Sequence, residues 1–233
     1  MASQHMSLLR TVPKCEIFAV SNDGSEGCTG VGVSGWHIDG SFREFPFAKC
    51  VFYMPHVPKT GDTRFAGIAE IWSSLTHEQQ QRWSRLFAVW NLEVPYRFLN
   101  KNFRFPHKTL VHPLVYNHPI TGQTAFCFHC GMIDRFIENF GEPHERELNK
   151  AETIETLDEI RAAIVANNEQ LVYSHKWQSG DLMLTDNLAV VHEADSKSQA
   201  PPSEIGLRVL HRITIKGKQR PSKKRGNSQT PQF

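Results

Sequence analysis

The chain has 233 residues, 39% hydrophobic and 21% charged, with a formal net charge of +2. That composition supports a packed core and excludes wholesale disorder. Its charge balance is too weak to argue for nucleic acid as a whole-protein partner, and no stretch approaches the roughly 18 to 20 apolar residues of a membrane span. The length suits one domain. Residues 1–6 read as a tag remnant, 7–216 as the domain and 217–233 as a basic, disordered tail. No apolar secretory segment opens the chain. Cys15, Cys28, Cys50, Cys127 and Cys130 are an odd, scattered set, which points to reduced thiols and a cytoplasmic setting. Cys127-x-x-Cys130 lacks the second pair of a structural zinc site.

In chain order, residues 16–20 read as a strand, and a glycine-rich loop follows to residue 35. Within it, Gly30-Val31-Gly32-Val33-Ser34-Gly35 matches G-x-G-x-x-G. A dinucleotide site needs a helix there, whereas Trp36-His37-Ile38-Asp39-Gly40 reads as extended chain entering a turn. Residues 49–54 form a strand and Thr60-Gly61-Asp62 a turn. The spacing predicts a helix over 65–75. Thr76 and Gln79 form a capping box that opens a second helix to about Trp90, with Trp83, Leu86, Phe87 and Trp90 facing the core.

Strands over 110–116 and 124–128 flank the turn His118-Pro119-Ile120-Thr121-Gly122. Residues 153–167 predict an amphipathic helix with Ile154, Leu157, Ile160 and Ile164 on one face. Further strands fall at 171–177, 181–185, 189–192 and 207–215. Many strands with few helices predict a mainly β barrel or sandwich with helices packed outside. From Lys216 to Arg225 a basic run forms a solvated tail.

Twelve histidines are present, and most are bystanders. His37 and Asp39, at i and i+2, share one face of an extended segment. His192 ends a later strand, and Arg208 and Arg212 follow on the last one. Two histidines and a carboxylate make the facial set of non-haem Fe(II) oxygenases, and a nearby guanidinium suits a dicarboxylate.

These pieces occur in a specific order: Trp36-His37-Ile38-Asp39, Thr60-Gly61-Asp62-Thr63, His112-Pro113-Leu114-Val115, Trp177-Gln178-Ser179-Gly180-Asp181, Asp186-Asn187 through His192, and Arg208-Val209-Leu210-His211-Arg212. The set spans residues 36–216 and resembles the taurine dioxygenase (TauD/TfdA) family of Fe(II)- and 2-oxoglutarate-dependent oxygenases. The resemblance implies a double-stranded β-helix (jelly-roll) core with flanking helices. It implies iron held by His37, Asp39 and His192, and 2-oxoglutarate held at its distal carboxylate by Thr63 and Arg208. It implies Arg212 on an acidic substrate group and Asn187 supporting the metal strand.

The implied reaction consumes O2 and 2-oxoglutarate, releases succinate and CO2, and hydroxylates or otherwise oxidises an unactivated C–H of a small anionic or amino-acid-like molecule. Asp39 argues against halogenation, in which related enzymes give up this ligand. Trp36, Tyr116, Phe128 and His129 are further substrate-pocket candidates. Two departures stand out. Few residues precede His37, which suggests a minimal member or one completed as a homo-oligomer. The loop at 195–202 is longer than in the taurine enzyme. The alternatives are a 2-oxoglutarate-dependent demethylase of nucleic acid or protein, supported only by the basic tail, and a metal-binding jelly roll without turnover.

Overall fold

Antiparallel strand pairing assembles two facing sheets. The computed structural model describes residues 17–31, 35–90 and 109–223. The first sheet is antiparallel and built from β1 (Phe18–Ser21), β2 (Phe47–His56), β11 (Leu182–Asp186) and β13 (Val209–Lys216), in the order β1-β13-β2-β11. The second is β10 (Val172–His175), β3 (Thr63–Gly67) and β12 (Val190–Ala194), in the order β10-β3-β12.

Their inner faces meet around Val20, Cys50, Phe52, Met54, Phe65, Trp177 and Leu210. Non-consecutive neighbours in two facing antiparallel sheets are the mark of a jelly roll. The mainly β jelly-roll expectation therefore holds. A third sheet, β5-β4-β8-β9, is formed by β4 (Leu86–Trp90), β5 (Leu110–Pro113), β8 (Ile133–Glu138) and β9 (Arg146–Glu147). A hairpin of β6 (Val115–Asn117) and β7 (Thr124–Phe126) stands beside it.

Several expectations are corrected. The helix expected over 65–75 is shorter: Thr63–Gly67 is a strand pairing on both sides, and α1 spans Ile68–Ser74. The capping box of Thr76 and Gln79 is present, but α2 (His77–Arg85) stops before Leu86. Leu86–Trp90 is instead the central strand β4, paired with β5 and β8. Apolar residues at 83, 86, 87 and 90 fit a helix face and a strand buried on both sides equally well, and tertiary pairing decides. Trp83, Leu86 and Trp90 are core residues nonetheless.

The helix expected over 153–167 is α3 (Lys150–Ile164), begun earlier by an Asn149–Glu152 capping box. It cannot reach 167, because Asn167 and Asn168 are left-handed. Its buried face is Thr153, Thr156, Leu157, Ile160, Ala163 and Ile164, leaving Ile154 49% exposed. The expected strand over 110–116 is divided at Leu114.

The main core lies between α1, α2, α3 and the third sheet, and includes Trp36, Trp83, Trp90, Phe126, Phe128 and Phe136. After β13, Arg220 donates to the Val111 carbonyl at 3.3 Å and Lys223 sits 4.2 Å from the Phe87 ring centroid. Residues 1–6, Cys15, residues 32–34 of the Gly30–Gly35 run and the tail from 224 lie outside the described residues. Cys28, Cys50, Cys127 and Cys130 are free and buried. Among the described residues no helix is long and apolar enough to cross a membrane.

Candidate metal centre and cosubstrate pocket

The segment carrying His37 is stitched into the barrel by its backbone. His37 and His192 exchange N–H···O=C bonds of 3.0 and 2.9 Å, and Ile38 N–H reaches the Phe128 carbonyl at 3.2 Å. This bridge places the two imidazoles 4.4 Å apart between ring centroids. Asp39 follows on the same face. Gly40 then turns the chain at φ +67°, where a Cβ would lie 2.6 Å from the Phe47 ring. Only glycine suits both conditions.

One nitrogen or oxygen from each of His37, Asp39 and His192 lies within 4.8 Å of the others, and all three residues are buried. His37 Nδ1 is 2.7 Å from the Gly35 carbonyl. Donation there fixes the proton on Nδ1 and leaves Nε2 as the free lone pair. Burial lowers the pKa of His37 and pushes His192 down to about 3. Burial also raises the Asp39 carboxyl, but Arg212 and the two histidines outweigh it and hold the group well below the usual carboxylate range. Neutral imidazoles and an ionised carboxylate are the protonation states that a divalent cation requires. The donor set therefore fits one.

The carboxylate is held from several sides. Arg212 Nη1 donates to Asp39 Oδ1. The Cys50 thiol donates to Oδ2 at 3.4 Å. Asn187 accepts from Asp39 N–H at 2.9 Å and donates to the carbonyls of Asp39 and Phe47 at 2.9 and 2.7 Å. Asp186 anchors that turn through Lys49 at 2.5 Å and His118 at 3.3 Å. Asn187 thus stands where the resemblance implied, beneath Asp39. Cys50 and the Asp186 brace were not singled out from the sequence. The alternation of Cys50, Phe52 and Met54, all buried on β2, is the one signal that marked Cys50 as inward-facing.

Arg208 is 1% exposed. Burial pushes its pKa down to about 10, and its Nε has no partner. Among the described residues no carboxylate forms an ion pair with it. A buried, uncompensated guanidinium is costly, and an anionic ligand would relieve that cost. Thr63 is buried and accepts the Trp177 indole N–H at 2.9 Å. A buried guanidinium and a buried hydroxyl are donors of the kind a carboxylate takes.

The remaining candidates divide. His129 stacks on His37 with ring centroids 4.5 Å apart and accepts the Gly131 N–H on Nδ1 at 3.2 Å. Arg212 lies on the Asp39 carboxylate and 4.9 Å from the Phe18 ring centroid. Trp36, Tyr116 and Phe128 sit in the main apolar core, and the Tyr116 hydroxyl donates to the Leu188 carbonyl at 2.9 Å.

The model of the taurine catabolism dioxygenase TauD, TfdA family matches residues 13–214. The chain belongs to the TauD/TfdA dioxygenase family. Among curated TauD/TfdA relatives, the pentalenolactone F synthase of Streptomyces arenae is 28% identical over 221 residues, covering 85% of this chain and 68% of that protein. The alpha-ketoglutarate-dependent sulfate ester dioxygenase of Pseudomonas putida is 23% identical over 207 residues, covering 82% and 62%. The chain thus spans about two thirds of the length of these relatives.

Among solved structures, AAD-2 in complex with Mn(II) and N-oxalylglycine superposes with a TM-score of 0.66 at 21% identity, covering 88% of this chain and 74% of that one. A taurine dioxygenase from Burkholderia xenovorans gives 0.63 at 20% identity, covering 87% and 64%. At these identities the likeness shows the fold, and the jelly roll is the TauD/TfdA one.

Proposed function

We propose that the protein is an Fe(II)- and 2-oxoglutarate-dependent dioxygenase that hydroxylates or otherwise oxidises a C–H of a small anionic or amino-acid-like molecule. The observation that carries this is the pairing of a buried His37–Asp39–His192 set with a buried Arg208 that has no anionic partner among the described residues. A scaffold without turnover has no use for an uncompensated buried cation. When bound, iron would activate O2 and couple oxidation of the substrate C–H to decarboxylation of 2-oxoglutarate into succinate and CO2.

This chain's residues supply the rest. His37, Asp39 and His192 would hold the metal on one side and leave the opposite side free for ligands. Asn187 and Cys50 keep the carboxylate aimed. Thr63 and Arg208 would take the distal carboxylate, the guanidinium by charge-assisted hydrogen bonds. Arg212, whose buried Nε has no partner among the described residues, would draw an anionic substrate group toward the metal side of the pocket. The sulfate ester named for one relative agrees with such a group. Phe52 and Phe65 pack 5.5 and 6.0 Å from the His192 ring and keep bulk water from that side. The free buried thiols suit a reducing cytoplasm.

The test is succinate release on adding Fe(II), 2-oxoglutarate and a panel of sulfonates, sulfate esters and carboxylates. Succinate formation that is stimulated by a panel member and lost in Asp39→Ala supports the proposal. Equal succinate in wild type and Asp39→Ala rejects it.

A further inference from the structure

The segment Trp177-Gln178-Ser179-Gly180-Asp181 holds a tryptophan that none of the roles above fully uses. Trp177 is buried within the apolar filling between the two sheets, beside Leu210 and Phe65. Its indole N–H donates to Thr63 Oγ1 at 2.9 Å. A threonine hydroxyl has one proton and two lone pairs. With one lone pair occupied by the indole N–H, the hydroxyl is oriented to give its proton away. No acceptor takes that proton among the described residues.

The strand register sets where it points. His192 pairs with Phe65, and Thr63 is two residues from Phe65 on the same inner face. Arg208 lies two residues before Leu210, which belongs to the same buried apolar cluster as Trp177.

Trp177 is itself held in place. The His175 ring meets it edge-on, with centroids 4.5 Å apart and planes at 88°. His175 Nε2 is 3.1 Å from Asp181 Oδ2, and the Tyr173 hydroxyl is 3.0 Å from Nδ1. Donation from Nε2 to the carboxylate and from Tyr173 to Nδ1 fixes the tautomer. Asp181 Oδ2 also accepts the Gln178 N–H at 2.8 Å. The two ends of the segment therefore act together: Asp181 steadies His175, and His175 steadies the indole.

We propose that Trp177 is a positioning residue for the cosubstrate, its indole N–H fixing the Thr63 hydroxyl as a donor to the distal carboxylate. This rests on the function proposed above.

The experiment is calorimetric titration of the Mn(II)-loaded protein with two ligands. N-oxalylglycine has a distal carboxylate; oxalate has none. Trp177→Phe keeps the ring and removes the N–H. It should weaken N-oxalylglycine by about fivefold, the worth of one hydrogen bond, and leave oxalate unchanged. Trp177→Phe combined with Thr63→Val should bind N-oxalylglycine no more weakly than Thr63→Val alone. Equal weakening of both ligands, no weakening of either, or additive losses in the double variant would overturn the proposal.

Should Trp177→Phe not fold, the wild type loaded with Zn(II) supplies a second measurement. The Trp177 indole N–H resonance should move on adding N-oxalylglycine and stay in place with oxalate, and a resonance unmoved by N-oxalylglycine overturns the role. A wild type that binds oxalate but not N-oxalylglycine would reject the distal-carboxylate site itself, and Trp177's role with it.

Discussion

Replacing Arg208 by methionine separates a group kept for a ligand from one kept for stability. A guanidinium whose pKa is pushed down to about 10 on burial carries a penalty on the order of 3 kcal/mol in its charged form. Arginine is charged in both folded and unfolded chains at neutral pH, so the penalty is fully present below about pH 10. It is relieved only above about pH 10, where the folded state releases its proton before the unfolded chain does and stability rises with pH. An apolar side chain of similar volume removes the penalty. Arg208→Met should therefore leave the metal-loaded, ligand-free protein as stable as wild type, or more stable by up to about 3 kcal/mol.

Ligand binding should respond in the opposite sense. N-oxalylglycine at 100 times its dissociation constant stabilises wild type by about 2.7 kcal/mol. If Arg208→Met lowers affinity by about 100-fold, the same concentration adds only about 0.4 kcal/mol. Denaturant unfolding of the Mn(II)-loaded proteins, with and without N-oxalylglycine, reads both quantities. A variant that loses more than about 2 kcal/mol without ligand and keeps the full ligand stabilisation would refute the argument, because Arg208 would then be a structural cation.

Asn187→Ala removes three hydrogen bonds beneath Asp39 and should lower Mn(II) affinity by about 10-fold or more, measured by calorimetry; unchanged affinity would show that the turn does not hold the carboxylate. Arg212→Ala should raise the KM for an anionic substrate far more than the KM for 2-oxoglutarate, and equal rises would remove Arg212 from the substrate side. Asn149→Ala removes the cap of α3 and should cost about 1 kcal/mol in denaturant unfolding without changing metal affinity.

Much of the barrel is legible because its strands are short apolar runs bounded by turn residues. The segments near 172, 182, 190 and 209 fall within a residue or two of their observed positions. What stayed hidden depended on pairing. Leu86–Trp90 is apolar throughout, which suits a helix as well as a central strand, and only its pairing with β5 and β8 decides. Ile154 has the right spacing for a helix core, yet the buried stripe of α3 runs through Thr153, Thr156, Leu157 and Ile160 and leaves that residue exposed.

The site divides the same way. His37, Asp39, His192 and Arg208 stand in short ordered segments whose residue types carry their chemistry. Cys50 on Asp39 and Trp177 on Thr63 arise from side chains 11 and 114 residues apart in sequence, brought together only by the register of the sheets. Trp36, Tyr116 and Phe128 illustrate the converse. They are pocket candidates by residue type, and they sit in the main apolar core.

The central claim is that His37, Asp39 and His192 bind Fe(II) and leave room for a keto acid. Anaerobic titration of the protein with Fe(II) and 2-oxoglutarate tests it most directly, through the weak visible charge-transfer band of the metal–keto-acid chelate. The band should appear with wild type, saturate at one equivalent of Fe(II) and be absent from Asp39→Ala. A folded wild-type protein that shows no band, or an equal band in Asp39→Ala, would contradict the claim.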